Sequence, residues 1–253
     1  MKPVIVNGKR FIAIGVVIYL LFMVVAAPAT VMEWLLPRVS GERLHVQGTK
    51  GGFWHGEAAD LVLTSAEGNA KPLGAIKWQV LWLPILRGEL ATSLELVTTP
   101  KVSHGVVALA LSGIRLRNMD IAMPASILTE LYPAWKLWQP SGTLELHAEM
   151  IDMGRGGING AAEAKWQGAS SSLSRLNPFG SYRLSIKDGK LDLTTLSGPL
   201  QITGNGAWGT QGVRFEGLAQ ADAAAKGGLQ DFMRLFGKED SSGAYRISMA
   251  TTR

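Results

Sequence analysis

The side chains best suited to chemistry are scattered. His45, His55, His104 and His147 stand apart from one another and from carboxylate pairs at ligand spacing. A helical zinc site needs two imidazoles about one turn apart with a carboxylate nearby, and no such string occurs. Isolated histidines of this kind read as solvent-facing strand or turn residues. A serine nucleophile needs a sharp turn that presents its Oγ, and a base to take the proton. No Gly-x-Ser-x-Gly string is present, and Ser170-Ser171-Ser172 lies in a polar stretch with no base close by in sequence. Gly204-Asn205-Gly206 has the small residues of a phosphate loop. It lacks the following helix and lysine that would supply amides and charge to a phosphate, so it reads as a turn or bulge. The chain has no cysteine, which excludes disulfides, thiol catalysis and thiolate-bound metal. The expectation is a protein with no catalytic residues, no metal and no cofactor.

Aromatic residues offer contacts instead. Phe53 and Trp54 lie between Gly52 and Gly56. Neighbouring residues of a strand face opposite sides, so one ring enters the core and the other is a contact anchor, or both fill a corner of the sheet. Trp135 and Trp138 sit close to Pro133 and Pro140. They read as cover for the sheet, with contact to a partner or a membrane surface as the alternative. Lys101, Arg115 and Arg117 fit a solvated sheet face, and anionic lipid headgroups are the alternative partner. Three of the 25 basic residues fall in the first ten positions, so the rest is nearly neutral against 20 acidic residues. That balance, with dispersed basic residues, argues against nucleic acid.

The elements that must position these residues are strands. Leu44 and Val46, Ile76 to Val80, Leu94 and Leu96, Ile114 and Leu116, and Leu144 to Met150 alternate with polar residues. Period two over many short segments predicts antiparallel sheet with one face covered. The phase slips at Met150–Ile151, which predicts a β-bulge. Asp188-Gly189 between alternating runs predicts a type I′ hairpin. Short helices are expected over about 125–131 and about 229–236, placed by Pro124, Pro133 and Gly237.

The first 40 residues differ. Residues 11–30 carry no charge and span about 30 Å as a helix, the thickness of a bilayer core. Lys2, Lys9 and Arg10 precede them, which predicts a cytoplasmic tail over 1–10 and translocation of the rest. Ala27-Pro28-Ala29 resembles a signal cleavage site, but the apolar core exceeds the usual ~7–15 residues, which favours a retained anchor. Residues 31–40 read as a juxtamembrane linker, with Trp34 at the interface.

Two stretches share one plan. Gly51-Gly52 and Gly156-Gly157 each precede an alternating run, and Pro72-Leu73-Gly74 and Pro178-Phe179-Gly180 each open a second one. The glycine spacing is 22 positions in the first and 23 in the second. This predicts two similar β units, about 41–117 and about 141–253, within one domain over 41–253.

The string Gly52-Phe53-Trp54-His55-Gly56, followed by Pro72-Leu73-Gly74, Trp78 and Leu86-Arg87-Gly88-Glu89-Leu90, resembles the type II secretion system protein N family. The resemblance resumes at Gly142-Thr143-Leu144, Asn177-Pro178-Phe179-Gly180, Leu196-Ser197-Gly198-Pro199-Leu200 and Gly204-Asn205-Gly206-Ala207-Trp208. It continues through Phe215-Glu216-Gly217-Leu218-Ala219 to Leu235-Phe236-Gly237. It implies a single-pass inner-membrane accessory subunit, with the bulk of the chain in the periplasm and other type II secretion subunits as partners. It also implies remote kinship with AsmA-like proteins, whose curved sheets form apolar troughs, so lipid binding or transfer is the alternative. The fold class expected is mainly β: one N-terminal transmembrane helix, then a periplasmic, curved antiparallel sheet of two similar units with two short helices.

Overall fold

The computed structural model describes residues 8–65, 67–98, 101–154, 157–209, 212–235, 237 and 239–251. Most of the expected cytoplasmic tail, together with Gly156 and Phe236, lies outside the described residues. Thirteen strands follow one another in a single antiparallel meander, each paired with its neighbours in sequence. They are β1 (Leu44–Gly51), β2 (His55–Thr64), β3 (Ala70–Leu81), β4 (Leu90–Val97), β5 (Val102–Ala110), β6 (Gly113–Pro124) and β7 (Ser141–Gly154). Then come β8 (Gly157–Ser170), β9 (Gly180–Lys187), β10 (Lys190–Ser197), β11 (Leu200–Gly209), β12 (Gly212–Ala221) and β13 (Tyr245–Thr251). The helices are α1 (Gly8–Val25), α2 (Thr30–Ser40), α3 (Trp82–Ile85), α4 (Leu128–Leu131) and α5 (Lys226–Met233).

Register makes one face apolar and the other polar along the whole meander. Trp78 pairs with Leu94, and Met119 packs its sulfur over Gly105. The same row runs on through Met119, Ala148, Ala162, Ile186, Leu191, Gly206, Phe215 and Met249. One residue away, on the opposite face, the cross-strand row is Lys50, Glu57, Lys77, Glu95, His104, Asp120, His147 and Glu163. Strand side chains alternate between faces, so two adjacent residues per strand generate both rows. Opposite charges facing each other across strands stabilise the polar face by a fraction of a kcal/mol each, about 0.2–1.

Turn chemistry follows the sequence closely. Asp188 and Gly189 both have positive φ between the paired Lys187 and Lys190, as a type I′ hairpin requires. The β7–β8 register shifts between Ala148 and Met150, which places the bulge beside the expected site. Gly74 and Gly180 each lie beyond a register shift of the same form, paired with Leu61 and Ala169 respectively. Gly74 and Gly180, the later glycines of the two stretches, thus share a bulge device. Around it the strands run on without a break, and β6 pairs with β7 over nearly its whole length.

Several expectations are corrected. The helix expected over 11–30 ends at Val25, and among the described residues no helix is long and apolar enough to cross a membrane. Pro28 lacks a backbone donor, and it forms an isolated antiparallel bridge with Gly52 in the β1–β2 turn instead. Phe53 N donates to Ala27 O at 2.8 Å, and Ala29 N to Gly51 O at 3.2 Å. Residues 30–40 are a helix rather than a linker. Met32 and Leu36, four apart, pack with Ala29 on Val46, Leu61 and Ile76. Gly41, in the left-handed region, ends that helix. Gly204 and Gly206 are mid-strand residues of β11, not a turn. The helix expected at 125–131 is a 3₁₀ turn, Ala125–Ile127, continuing into α4, and the one expected at 229–236 is α5, shifted toward its N-terminus.

Candidate functional site

The apolar face widens into a trough between β7 and β13. Its volume is about 710 Å³, within the ~300–1,000 Å³ range of ligand pockets. Tyr182, Leu184, Leu191, Leu193, Ile202 and Ile247 form its floor. Gly204 and Gly206 keep β11 low there. An added Cβ at Gly206 would sit 2.3 Å from Arg214 O, so the strand crossing has room only for backbone. Beyond the tip of the β9–β10 hairpin, β8 and β11 converge. Asp188 N donates to Gly160 O at 2.8 Å and Trp208 N to Gly189 O at 2.6 Å. A Cβ on Gly157 would lie 3.8 Å from Gly209 Cα, whereas three flat strand spacings are about 14 Å. The sheet is therefore strongly bent at this end.

Helical connections wall the other side. Phe232 of α5 lies 5.0 Å from Phe179 and 5.4 Å from Trp138 between ring centroids. Trp135 and Trp138 are 5.7 Å apart and both line the trough. Ser171 Oγ donates to Trp138 O and accepts from Leu173 N, so this buried serine fixes the wall. Tyr182 OH donates to Leu200 O at 2.9 Å, and burial pushes the phenol above its ordinary value. The polar atom is satisfied within the floor, which leaves a lining that is apolar apart from Lys165 and Ser248.

Phe53 and Trp54 form a second cluster at the opposite end of the first strands. Both are half-buried, in the β1–β2 turn rather than in a strand. Their rings meet edge-on at 5.2 Å, and Trp54 stacks on Trp82 at 4.0 Å with planes 24° apart. Trp54 Nε1 donates to Val24 O at 2.8 Å, and Trp78 Nε1 to Phe53 O at 3.0 Å. Both rings thus fill a corner between α1 and the sheet. The structure does not bring this pair to Trp135 and Trp138, which stand at the trough.

The titratable groups sit on the polar face. Arg115 pairs with Asp152 and Glu89, and Arg117 with Glu89 at 3.2 Å. Lys101 holds Asp120 at 2.7 Å, and that hydrogen bond keeps the carboxyl below its ordinary range. These cations are already neutralised by carboxylates of the same face. Among the described residues no three His, Asp or Glu side chains come together as a metal site. In the sequence a trough follows only from the family resemblance, and of its lining residues Trp135 and Trp138 alone stand out as candidate contacts. Its signal is the alternation of β9 to β13, whose inward residues are apolar while glycines replace them at 204 and 206.

A model of the family described as Type II secretion system (T2SS), protein N matches residues 42–248. The chain belongs to the type II secretion system protein N family. The match begins just before β1 and ends within β13, so this protein N family member carries the family signature from β1 into β13, with α1 and α2 ahead of it. Comparison with curated proteins gives no match, and comparison with solved structures gives none.

Proposed function

We propose that this protein N family member is an accessory inner-membrane subunit of the type II secretion system. It supports export of folded proteins from the periplasm across the outer membrane through contacts with other subunits, without chemistry of its own. The observation that carries this reading is the family match over residues 42–248, from just before β1 into β13. The uncharged part of α1 up to Val25, preceded by Lys2, Lys9 and Arg10, is the segment that associates with the inner membrane in this reading, with the N-terminus cytoplasmic and the sheet periplasmic. A meander has two ends, and β1 and β13 are the strands where a partner strand adds most readily. The test is a clean deletion in the native host, assayed for secreted enzymes and for outer-membrane leakage. Exoproteins retained in the periplasm of cells with an intact outer membrane are the expected result. Unchanged secretion would refute this reading.

The trough favours a second reading, lipid binding or transfer. Its floor and wall are mainly apolar, and the buried hydroxyls of Tyr182 and Ser171 are satisfied internally. An acyl chain is the ligand chemistry that suits such a surface. Native mass spectrometry of the protein released from detergent tests it. Co-purifying phospholipid supports it, and a bare protein mass counts against it.

A further inference from the structure

The β3–β4 connection exposes apolar side chains where a polar turn would serve. Trp82, Leu83 and Leu86 are 54%, 79% and 85% exposed, and Arg87 follows them at the surface. Burying a leucine is worth about 1.5–3 kcal/mol, so a tight turn carrying two in water forgoes a large stabilisation. Their neighbours share the same exposure. Trp82 stacks on Trp54, and Trp54 donates its indole N–H to Val24 O in the last turn of α1. The described side chains of α1 from Ile14 to Val25 are all more than half exposed and apolar apart from the Tyr19 hydroxyl. The turn is therefore fastened beside the end of a helix with the same unmet need for an apolar medium. Trp34 lies at the same end of the sheet, because Glu33 Oε1 accepts from Thr49 Oγ1 at 2.7 Å near the end of β1. The Arg38 guanidinium stands 4.0 Å over the Trp34 ring. Tryptophan beside a cation is the composition of a headgroup layer.

We propose that the Trp82–Arg87 turn is a second membrane contact, seated at the headgroup–acyl boundary of the bilayer that α1 enters. Leu83 and Leu86 enter the acyl region, Trp82 and Trp34 lie at the interface, and Arg38 and Arg87 face lipid phosphates. Two contacts fix the tilt of the sheet over the membrane, where one helix alone would let it swivel. The inference rests on the anchoring reading above.

The chain has no cysteine, so single labelling sites are clean. The full chain carrying Leu83→Cys or Leu86→Cys is labelled with an environment-sensitive fluorophore and reconstituted into phosphatidylethanolamine–phosphatidylglycerol vesicles. Ser241→Cys, exposed in the β12–β13 connection at the other end of the sheet, is the control. The expected result is a blue shift and quenching by nitroxide lipids at 83 and 86, with neither at 241. Leu86→Glu beside the 83 label should abolish both changes while the protein still floats with the vesicles. Labels at 83 and 86 that remain in water on floating protein would overturn the second contact and leave the anchor intact. Protein that does not float would overturn the anchor and the contact together.

Discussion

The ring of Phe215 lies across Gly204, so close that a Cβ added at Gly204 would sit 2.5 Å from its Cζ. The same Cβ would meet Glu216 O at 2.6 Å, and a carbonyl in a paired strand cannot swing away. Gly204→Ala should destabilise the protein by about 1–3 kcal/mol, the usual cost of overpacking. Urea unfolding measures it. Gly209→Ala, where nothing lies within 4 Å of the added atom, is the matched control and should be nearly neutral. Equal stability of the two variants would show that Phe215 does not pack as described.

Tyr182 links folding to alkaline pH. Burial raises its pKa from the ordinary 10.0, so the folded protein holds the phenolic proton more tightly than the unfolded chain. Its contribution is complete below pH 10 and is lost as pH rises from there, because the unfolded state then binds fewer protons. Tyr182→Phe should remove this alkaline loss. At neutral pH it leaves Leu200 O without its donor and should cost about 1–3 kcal/mol. Unfolding midpoints from neutral pH to above 10 in both proteins check the two effects together.

Much of the sheet was legible because its rule is local. Alternation at Leu144 to Met150, the phase slip that follows and the Asp188-Gly189 turn each fix their own strand or hairpin. Gly204 reads as a turn or bulge in sequence, yet it is a strand residue whose reason lies in another strand: Phe215 needs the space. The helix at Thr30–Ser40 was hidden by Pro37, which sits inside it. Its legible signals were Met32 and Leu36 four apart and Gly41 at the end. Phe53, Trp54, Trp135 and Trp138 were singled out by type, but only tertiary structure separates the α1 corner from the trough.

Glu89 joins two guanidinium groups on the polar face. It accepts from Arg115 and Arg117 and is 17% exposed, while Arg115 also reaches Asp152. Those carboxylates hold the Arg115 guanidinium above its ordinary value, Asp152 most strongly. Glu89→Gln keeps the shape and leaves Arg117 without its anion. Its Tm should fall at low ionic strength, and the difference from wild type should shrink in about 1 M salt, where the screening length is about 3 Å. A deficit unaffected by salt would mean that Glu89 acts through packing alone.

Phe232 closes the trough by bridging elements far apart in sequence. It is 2% exposed and touches Phe179 at the start of β9 and Trp138 in the β6–β7 connection. Phe232→Ala removes both ring contacts and leaves a hole that the bent sheet cannot fill, at a cost of about 3–5 kcal/mol. Leu235, close by but 48% exposed, has much less surface to lose, so Leu235→Ala should cost less than about 1.5 kcal/mol. The two variants separate stability from access. A native-state rise in binding of an apolar dye by Phe232→Ala, measured well below its unfolding midpoint and absent from Leu235→Ala, marks an opened trough. Destabilisation without that rise would mean that the wall collapses onto the floor, and a cavity that collapses so readily is poorly suited to hold an acyl chain.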